Sequence, residues 1–489
     1  MSFKLFGKLK RFAFAQDGSV KTRVVRSGMW VGASNLIGSI LNGARSIVLA
    51  RLLTPDMFGL MGLAGIAIRA IETVTRPGVS QALIARQSGF DEAASTAFTM
   101  LVLRGLLLAV ILAAAAPWVA AFYEADVLQP MLQVLAAVFV IGGLANISTI
   151  ARQKDLDFRQ LTYLGLATSI AGTIVTIVAA FWLRSVWALV IGQLATSGVN
   201  SLLSYFFIGG RPRLGWNREI ARELLAYGKF ITGSSIVLFI AMELDSAVIG
   251  KLLGIEQLGF YTLAFTIANI ATANLSKMAS NIMMPAYSKL QDDRPALQRA
   301  YLRTLSLVMF IVLPASAGLL LAAEPLLVVV YGGKWLPAVL PLQILAVFGL
   351  MRALAAFSGY MFEGIGLPKV AFQLGLMRLT VIAPLIVPVT KALGLRGAAI
   401  TVTTGMAVQW IAGLLYVRRH LGVSVTRSLA ACWRAAWTTA LMGTAIFGLM
   451  RLIPYNTLWG FATVVLVGVA AYGLLNFRFI KELMRQRFT

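Results

Sequence analysis

Charge is scarce in this sequence. Only 13% of its 489 residues are charged, while 59% are hydrophobic. A water-soluble chain of this length carries about twice that share of charge, so a soluble multidomain enzyme is excluded. There is one cysteine, Cys432, and one histidine, His420. Neither an intrachain disulfide framework nor a Cys/His metal cluster can be built from them. Acid is scarcer than base, with 19 Asp and Glu against 43 Lys and Arg, a formal charge of +24. No GxxxxGK[ST] phosphate loop occurs, which removes nucleotide hydrolysis by that route. The only histidine lies in a basic stretch beside Arg418 and Arg419, so no Ser/His/Asp set is expected, and the chain is not read as an enzyme.

What is abundant is long apolar sequence. Fourteen segments have roughly the length that crosses a ~30 Å hydrocarbon layer. They are 27–52, 58–85, 95–122, 127–150, 158–182, 185–209, 225–250, 257–285, 300–323, 337–362, 369–390, 397–417, 427–450 and 455–476. The expectation is an all-α integral membrane protein with about fourteen transmembrane helices. The basic residues sort by side. With a cytoplasmic N-terminus, 28 Lys and Arg fall in cytoplasmic loops and tails, 7 at periplasmic ends and 8 inside helices. Such asymmetry is the positive-inside rule. It explains the charge without a nucleic-acid partner and predicts a multi-pass protein of the bacterial inner membrane with both termini cytoplasmic. Residues 1–26 are basic and lack a secretory cleavage pattern. Lys4, Lys8 and Arg11 share one helical face and Leu5, Phe6, Leu9 and Phe12 another, which predicts an amphipathic helix on anionic membrane lipids.

The two halves of the chain repeat each other. A shift of 200 residues aligns Gly28 with Gly228, Ser34 with Ser234, Ile40 with Ile240, Ser46 with Ser246 and Val48 with Val248. The match continues through Leu52/Leu252, Leu53/Leu253, Gly59/Gly259, Leu63/Leu263 and Ala64/Ala264. Ten identities in 37 positions exceed the roughly three expected by chance and mark an internal repeat. Both halves start on the same side, so the repeat is parallel, about an axis along the membrane normal. The domains predicted are a six-helix bundle over 27–209, a basic cytoplasmic linker over 210–224 and a second six-helix bundle over 225–417. Two extra helices follow over 427–476, then a basic cytoplasmic tail over 477–489.

Several stretches carry a family resemblance covering nearly the whole chain. They are LARLLTPDMFGLMGLA (49–64), ARQKDLDFRQL (151–161), IGKLLGIEQLGFYTLA (249–264) and MMPAYSKLQDD (283–293). LPASAGLLLAAEPLLVVVYGGKW (313–335) and FEGIGLPK (362–369) complete the set. In order and spacing the chain resembles the polysaccharide transporter (Wzx-type oligosaccharide flippase) branch of the multidrug/oligosaccharidyl-lipid/polysaccharide exporter superfamily. The resemblance implies two bundles forming a V around a central cavity, with the last two helices holding a polyprenyl tail in a lateral groove. It implies a polyprenyl-pyrophosphate-linked glycan as substrate, for O-antigen, capsule or exopolysaccharide biosynthesis. The implied partners are membrane lipids, a polysaccharide polymerase and a chain-length regulator. The sequence departs from the group at TRPGVSQALIAR (75–86), where Arg76-Pro77 stands in place of a frequent acidic residue.

Charges inside hydrocarbon cost about 2.5–3.5 kcal/mol each at a helix centre, so they face a cavity or a partner. Eight bases fall within the helices: Arg45, Arg69, Arg76, Arg104, Lys277, Arg352, Arg378 and Arg434. Arg434 lies near the start of the thirteenth segment and is expected to snorkel to the headgroups. The other seven are the candidate substrate-binding residues of a cationic cavity, because guanidinium forks match phosphate oxygens. Arg76 and Lys277 also have a snorkelling alternative, and Arg69 and Glu72 are spaced to pair along one helix. Glu72, Glu243 and Asp245 are the candidate ion-coupling or gating acids. Glu243 and Asp245 point about 200° apart on a helix and cannot both face one cavity. Asp245, the repeat equivalent of Arg45, is a candidate to bridge to it.

No cofactor is expected; a proton or sodium gradient is the candidate driving force. The alternatives are an ion-coupled multidrug exporter of the same superfamily, a polysaccharide polymerase or ligase, and a channel or scaffold. If the arginines form a ladder for an anionic cargo, Arg69→Ala or Arg104→Ala reduces glycan export in cells. Normal export in both variants overturns the ladder.

Overall fold

The computed structural model describes residues 20–75, 79–86, 89–155, 157–210, 212–477, 479 and 481. Among the described residues all regular structure is helical. The helices are α1 (Val20–Leu52), α2 (Pro55–Val74), α3 (Val79–Ala85), α4 (Phe90–Tyr123), α5 (Leu128–Leu135), α6 (Ala137–Gly143), α7 (Ser148–Lys154), α8 (Phe158–Leu183) and α9 (Trp187–Ile208). They continue as α10 (Arg218–Leu252), α11 (Ile255–Leu290), α12 (Arg294–Leu321), α13 (Val339–Gly364), α14 (Pro368–Leu393), α15 (Leu395–Leu421), α16 (Val425–Leu452) and α17 (Leu458–Leu475). Helix is found at every expected apolar segment. Among the described residues, seven of these stretches are long and apolar enough to cross a membrane. The number is eight if α5–α7, bent by 59°, is counted as one broken span. Among the others, α2 holds Asp56, Arg69 and Glu72 within 20 residues, and α9 carries uncharged polar residues such as Gln193 and Asn200. The N-terminal amphipathic segment is outside the described residues up to residue 19, and so is Arg76.

The chain divides into two compact units. The first contains the chain up to Leu53 together with Leu63–Ile240; the second contains Thr54–Gly62 and Ala241–Thr489. In the first unit α8 and α9 form a tight hairpin built from two interlocking Gly-xxx-Thr pairs. A Cβ on Gly172 would lie 2.2 Å from Thr196 Oγ1, and one on Gly192 would lie 2.1 Å from Thr176 Oγ1. Each threonine hydroxyl donates to its own helix's glycine carbonyl, Thr176 to Gly172 at 2.6 Å and Thr196 to Gly192 at 2.7 Å. The small residues bring the backbones together, and the hydroxyls of Thr176 and Thr196 are themselves satisfied in hydrocarbon.

The expected linker over 210–224 is shorter in the structure, because helix α10 already begins at Arg218. Asn217 caps it: Oδ1 accepts from the N–H groups of Glu219 (3.0 Å) and Ile220 (3.3 Å), as an N-cap asparagine does. The remaining connector is stitched to α4. Gly215 N–H and Asn217 N–H donate to the hydroxyls of Thr99 (3.0 Å) and Thr96 (3.1 Å). Asn217 Nδ2 donates to Glu92 Oε1 at 2.9 Å, and Arg86 forms a 2.6 Å ion pair with Glu223. The fourth segment is also not one straight helix. Buried Asn146 sits at its bend, donating from Nδ2 to Gly209 O at 2.8 Å and accepting from Ser148 N–H at 3.0 Å.

The second unit is centred on a crossing of repeat-equivalent positions. Gly59 has no room for a side chain: its Cβ would lie 2.0 Å from Ile255 O. Gly259 is equally tight, with its Cβ 1.9 Å from Pro55 O. Pro55 and Ile255 are themselves equivalent under the 200-residue shift, so the contact is reciprocal. Further along, the Cβ position of Gly62 faces Thr262 Oγ1 at 3.1 Å. Trp335, fully buried, packs its ring edge-on against Phe58 at 5.1 Å and Phe260 at 5.9 Å. It is delivered by a π-helical turn (Leu326–Tyr331), Gly332 at φ 108° and a 3-10 turn (Gly333–Ala338). Elsewhere in this unit Tyr287, Tyr301 and Phe357 form an aromatic core, with Tyr301 and Phe357 stacked at 5.5 Å. Helix α16 packs on α12, and α17 on α16. Tyr472 ties α17 to α12 by donating to Phe310 O at 2.8 Å.

Gly259→Ala lowers the unfolding temperature of the purified protein, because overpacking a tight contact costs about 1–3 kcal/mol. Gly375→Ala, where no atom lies within 4 Å of the added Cβ, leaves it unchanged or raises it. Equal responses of the two variants contradict the packing assigned to Gly259.

Candidate functional site

Four of the candidate charged residues lie in one cluster of the second unit: Glu243 and Asp245 on α10, Arg352 on α13 and Arg378 on α14. Asp245 is 5% exposed and accepts a 2.5 Å hydrogen bond from the Tyr261 hydroxyl. The pairing follows from a helical hairpin. α10 and α11 meet at Leu253-Gly254, and Asp245 and Tyr261 are equally far from Leu253 in sequence. Glu243 is only half-buried, as the 200° offset between the two acids requires.

Arg378 is 6% exposed. Its Nη2 donates to Ala241 O at 3.0 Å and its Nη1 approaches Met406 Sδ at 3.8 Å. Its Nε has no hydrogen-bond partner. Gly405 makes room for it: a Cβ there would lie 3.3 Å from Arg378 Cγ and 2.6 Å from Ile382. The Asp245 carboxylate feels the positive charge of Arg378 and the negative charge of Glu243, and Arg378 in turn feels Arg352. Two acids and two bases thus share one low-dielectric region, where such interactions are strong.

The first unit holds Arg45, Arg69, Glu72 and Arg104. Arg45 is half-buried, while Arg69 and Glu72 are exposed. The Arg69 guanidinium folds over Gly65 one turn back, 2.9 Å from where a Cβ would stand. Arg104 holds the chain at the end of α2. It donates from Nε to Thr75 O at 3.0 Å and from Nη2 to Glu72 O and Thr75 Oγ1, each at 3.3 Å. Helix ends leave carbonyls without partners, and Arg104 supplies donors where α2 stops before Pro77. Its charge therefore serves the backbone as well as any cargo. Lys277 lies within α11, with its side chain outside the described ones. The Arg434 guanidinium lies over the Phe479 ring at 4.6 Å, a cation–π contact.

Sequence reasoning missed Tyr261, Met406 and Gly405. The first was within reach, since counting outward from the Leu253-Gly254 turn pairs it with Asp245. The other two follow from packing between α14 and α15 and leave no local signal.

Residues 48–340 match the model of a polysaccharide biosynthesis protein family. The chain belongs to that family. Its curated relatives include the lipopolysaccharide biosynthesis protein WzxC of Escherichia coli, 25% identical over 85% of both chains. The teichuronic acid biosynthesis protein TuaB of Bacillus subtilis is 23% identical over 72% of this chain and 74% of its own. Among solved structures, the fold is similar to the lipid II flippase MurJ in an inward closed conformation. That likeness has TM-score 0.74 at 15% identity and covers 94% of this chain and all of the other. It is also similar to an inward-facing multidrug resistance MATE family transporter of the MOP superfamily. There the TM-score is 0.63 at 19% identity, covering 79% of this chain and 94% of that one. The family is therefore that of polysaccharide biosynthesis proteins, and the fold, all-helical among the described residues, is that of a multi-pass membrane protein.

Asp245 and Arg378 feel each other's charge without a direct ion pair, and leaving one buried charge without its opposite costs more than removing both. Arg378→Met thus lowers the unfolding temperature of the purified protein more than Arg378→Met combined with Asp245→Asn. Tyr261→Phe, which strips the carboxylate of one donor, costs about 1–3 kcal/mol. Additive effects of Arg378→Met and Asp245→Asn show that the two side chains are not coupled.

Proposed function

We propose that this protein is a flippase. It moves a polyprenyl-pyrophosphate-linked oligosaccharide from the cytoplasmic to the periplasmic leaflet of the inner membrane, for assembly of a surface polysaccharide. The observation that carries the reading is the pairing of family with architecture. A polysaccharide biosynthesis protein built almost wholly of apolar helices is suited to carrying a sugar across a membrane rather than to making one. Several relatives bear names from surface-glycan pathways, and one is a probable low-salt glycan biosynthesis flippase, Agl15 of Haloferax volcanii, 22% identical over 52% of this chain.

In this reading the chain spans the membrane about fourteen times with both termini cytoplasmic, and it works by alternating access between inward- and outward-open populations. Arg45, Arg69, Arg76, Arg104, Lys277, Arg352 and Arg378 provide the field that attracts the pyrophosphate. Helices α16 and α17 hold the polyprenyl tail. α17 offers a strongly apolar exposed face through Trp459, Leu466, Val469 and Leu474. Asp245, poised between Tyr261 and Arg378, is the acid best placed to couple a proton or sodium gradient to the cycle. A polymerase and a chain-length regulator act on the flipped product. No catalytic step is assigned to this chain.

An ion-coupled multidrug exporter is the second reading, favoured by the similarity to the MATE fold. The excess of buried and half-buried guanidinium groups over acids disfavours cationic drugs as cargo. In cells lacking the gene, polyprenyl-linked glycan accumulates on the cytoplasmic face of the inner membrane. The wild-type gene relieves this, and Arg45→Ala or Arg352→Ala relieves it poorly. Normal glycan sidedness with altered resistance to cationic drugs replaces the flippase by the exporter.

A further inference from the structure

A cavity of ≈ 200 Å³ opens at one end of the second unit, away from the charged cluster. It is lined by Gln291, Arg294 and His420 together with Leu297, Ile365, Leu367 and Leu421. The walls come from the α11–α12 turn, the α13–α14 turn and the end of α15. The His420 ring is held in place, parallel to Tyr416 at 13° and 6.1 Å and edge-on to Phe362 at 6.0 Å. The end of α15 is fixed by Gln298 Nε2, which donates to Leu421 O at 2.6 Å.

The electrostatics of this end favour an anion. The acid next to Arg294 is already used, because Asp293 caps α12 by accepting from Ala296 N–H at 2.9 Å. Helix C-termini repel anions through unpaired carbonyls, but here the chain satisfies several of them itself. Leu367 N–H donates to Phe362 O at 2.8 Å, Gly366 N–H to Glu363 O at 3.1 Å and Gly422 N–H to Arg418 O at 3.0 Å. Both turns need glycine for this, at Gly366 (φ 78°) and Gly422 (φ 75°). Exposed Lys369, Arg418 and Arg419 lie on the same turns and with Arg294 outnumber the acids Asp292, Asp293 and Glu363. The cavity wall also includes the apolar side chains of Leu297, Ile365 and Leu367. A free inorganic anion has no use for such a wall, whereas a lipid with an anionic headgroup presents a phosphate and hydrocarbon together.

We propose that this cavity binds the phosphate headgroup of an anionic phospholipid of the cytoplasmic leaflet. Arg294 and His420 bind the phosphate oxygens, Gln291 bonds the glycerol hydroxyls, and Leu297, Ile365 and Leu367 receive the first methylenes. The site rests on the proposed topology, which puts these turns on the cytoplasmic side, where anionic lipids and basic residues attract each other. The bound headgroup ties together the ends of α11, α12, α13 and α15.

The test uses the full-length protein in a neutral detergent. Dioctanoyl phosphatidylglycerol, dioctanoyl phosphatidylcholine and inorganic phosphate are titrated while the unfolding temperature is recorded, since a ligand of the folded state raises it. Phosphatidylglycerol alone is expected to raise it. Arg294→Gln and His420→Gln each weaken that effect about tenfold in lipid concentration, the loss of one charge-assisted hydrogen bond. Leu367→Trp, which fills the cavity while keeping both bases, abolishes it. Arg418→Gln, outside the cavity, retains it. An equal response to phosphatidylcholine, an equal response to inorganic phosphate, or an unchanged response in Arg294→Gln and Leu367→Trp overturns the proposal. None of these outcomes bears on glycan sidedness in cells, so the flippase reading stands or falls separately.

Discussion

A polar group in hydrocarbon has no water to fall back on, so a donor, acceptor or charge there is costly unless it finds a partner in the chain. This constraint sets most of the local structure. It makes the regular structure of the described residues wholly helical. It places threonine hydroxyls on carbonyls one turn back, as at Thr176 and Thr196. It puts Arg104 on the last carbonyls of α2 and Asn146 in the bend between α6 and α7. It also explains why Asp245, deep in the second unit, has both a hydroxyl donor and a guanidinium within its field.

The same constraint changes how the intramembrane arginines are read. A guanidinium inside the membrane has two kinds of anionic partner, the protein's own groups and a cargo. Arg104 and Arg378 each spend donors on backbone carbonyls, so part of the positive field expected from composition is used to hold the fold. Among the described candidate bases Arg69 is the most exposed. Attraction for cargo and stability of the fold thus compete for the same side chains.

The helices were legible because apolar runs of membrane length are a strong signal, and the repeat because it needed no gaps over the first helix and its turn. Helix starts were less legible. The basic composition of 210–224 reads as loop, but the Asn217 cap and the good helix formers after it begin α10 at Arg218. The broken fourth segment was invisible, since Asn146 and the positive-φ Gly209 and Gly210 act through contacts distant in sequence. Candidate charges were found as residue types at unfavourable depth. Their partners were not, because Ala241 O and Thr75 O are backbone atoms with no side-chain signature. Tyr261 is the intermediate case, recoverable only once the α10–α11 turn is placed.

The crossing at Gly59 and Gly259 records how the chain arose. Two identical halves related by a two-fold axis must present the same residue to each other wherever the axis passes. At Gly59 and Gly259 the halves still obey, since each glycine admits the other half's carbonyl. At the next turn they do not, because Gly62 faces Thr262. A symmetric dimer could offer only two glycines, leaving a gap, or two threonines, competing for one space. The small-against-large fit is open only to halves carried on one polypeptide and free to diverge. On one polypeptide, equivalent positions that face each other can be complementary instead of identical.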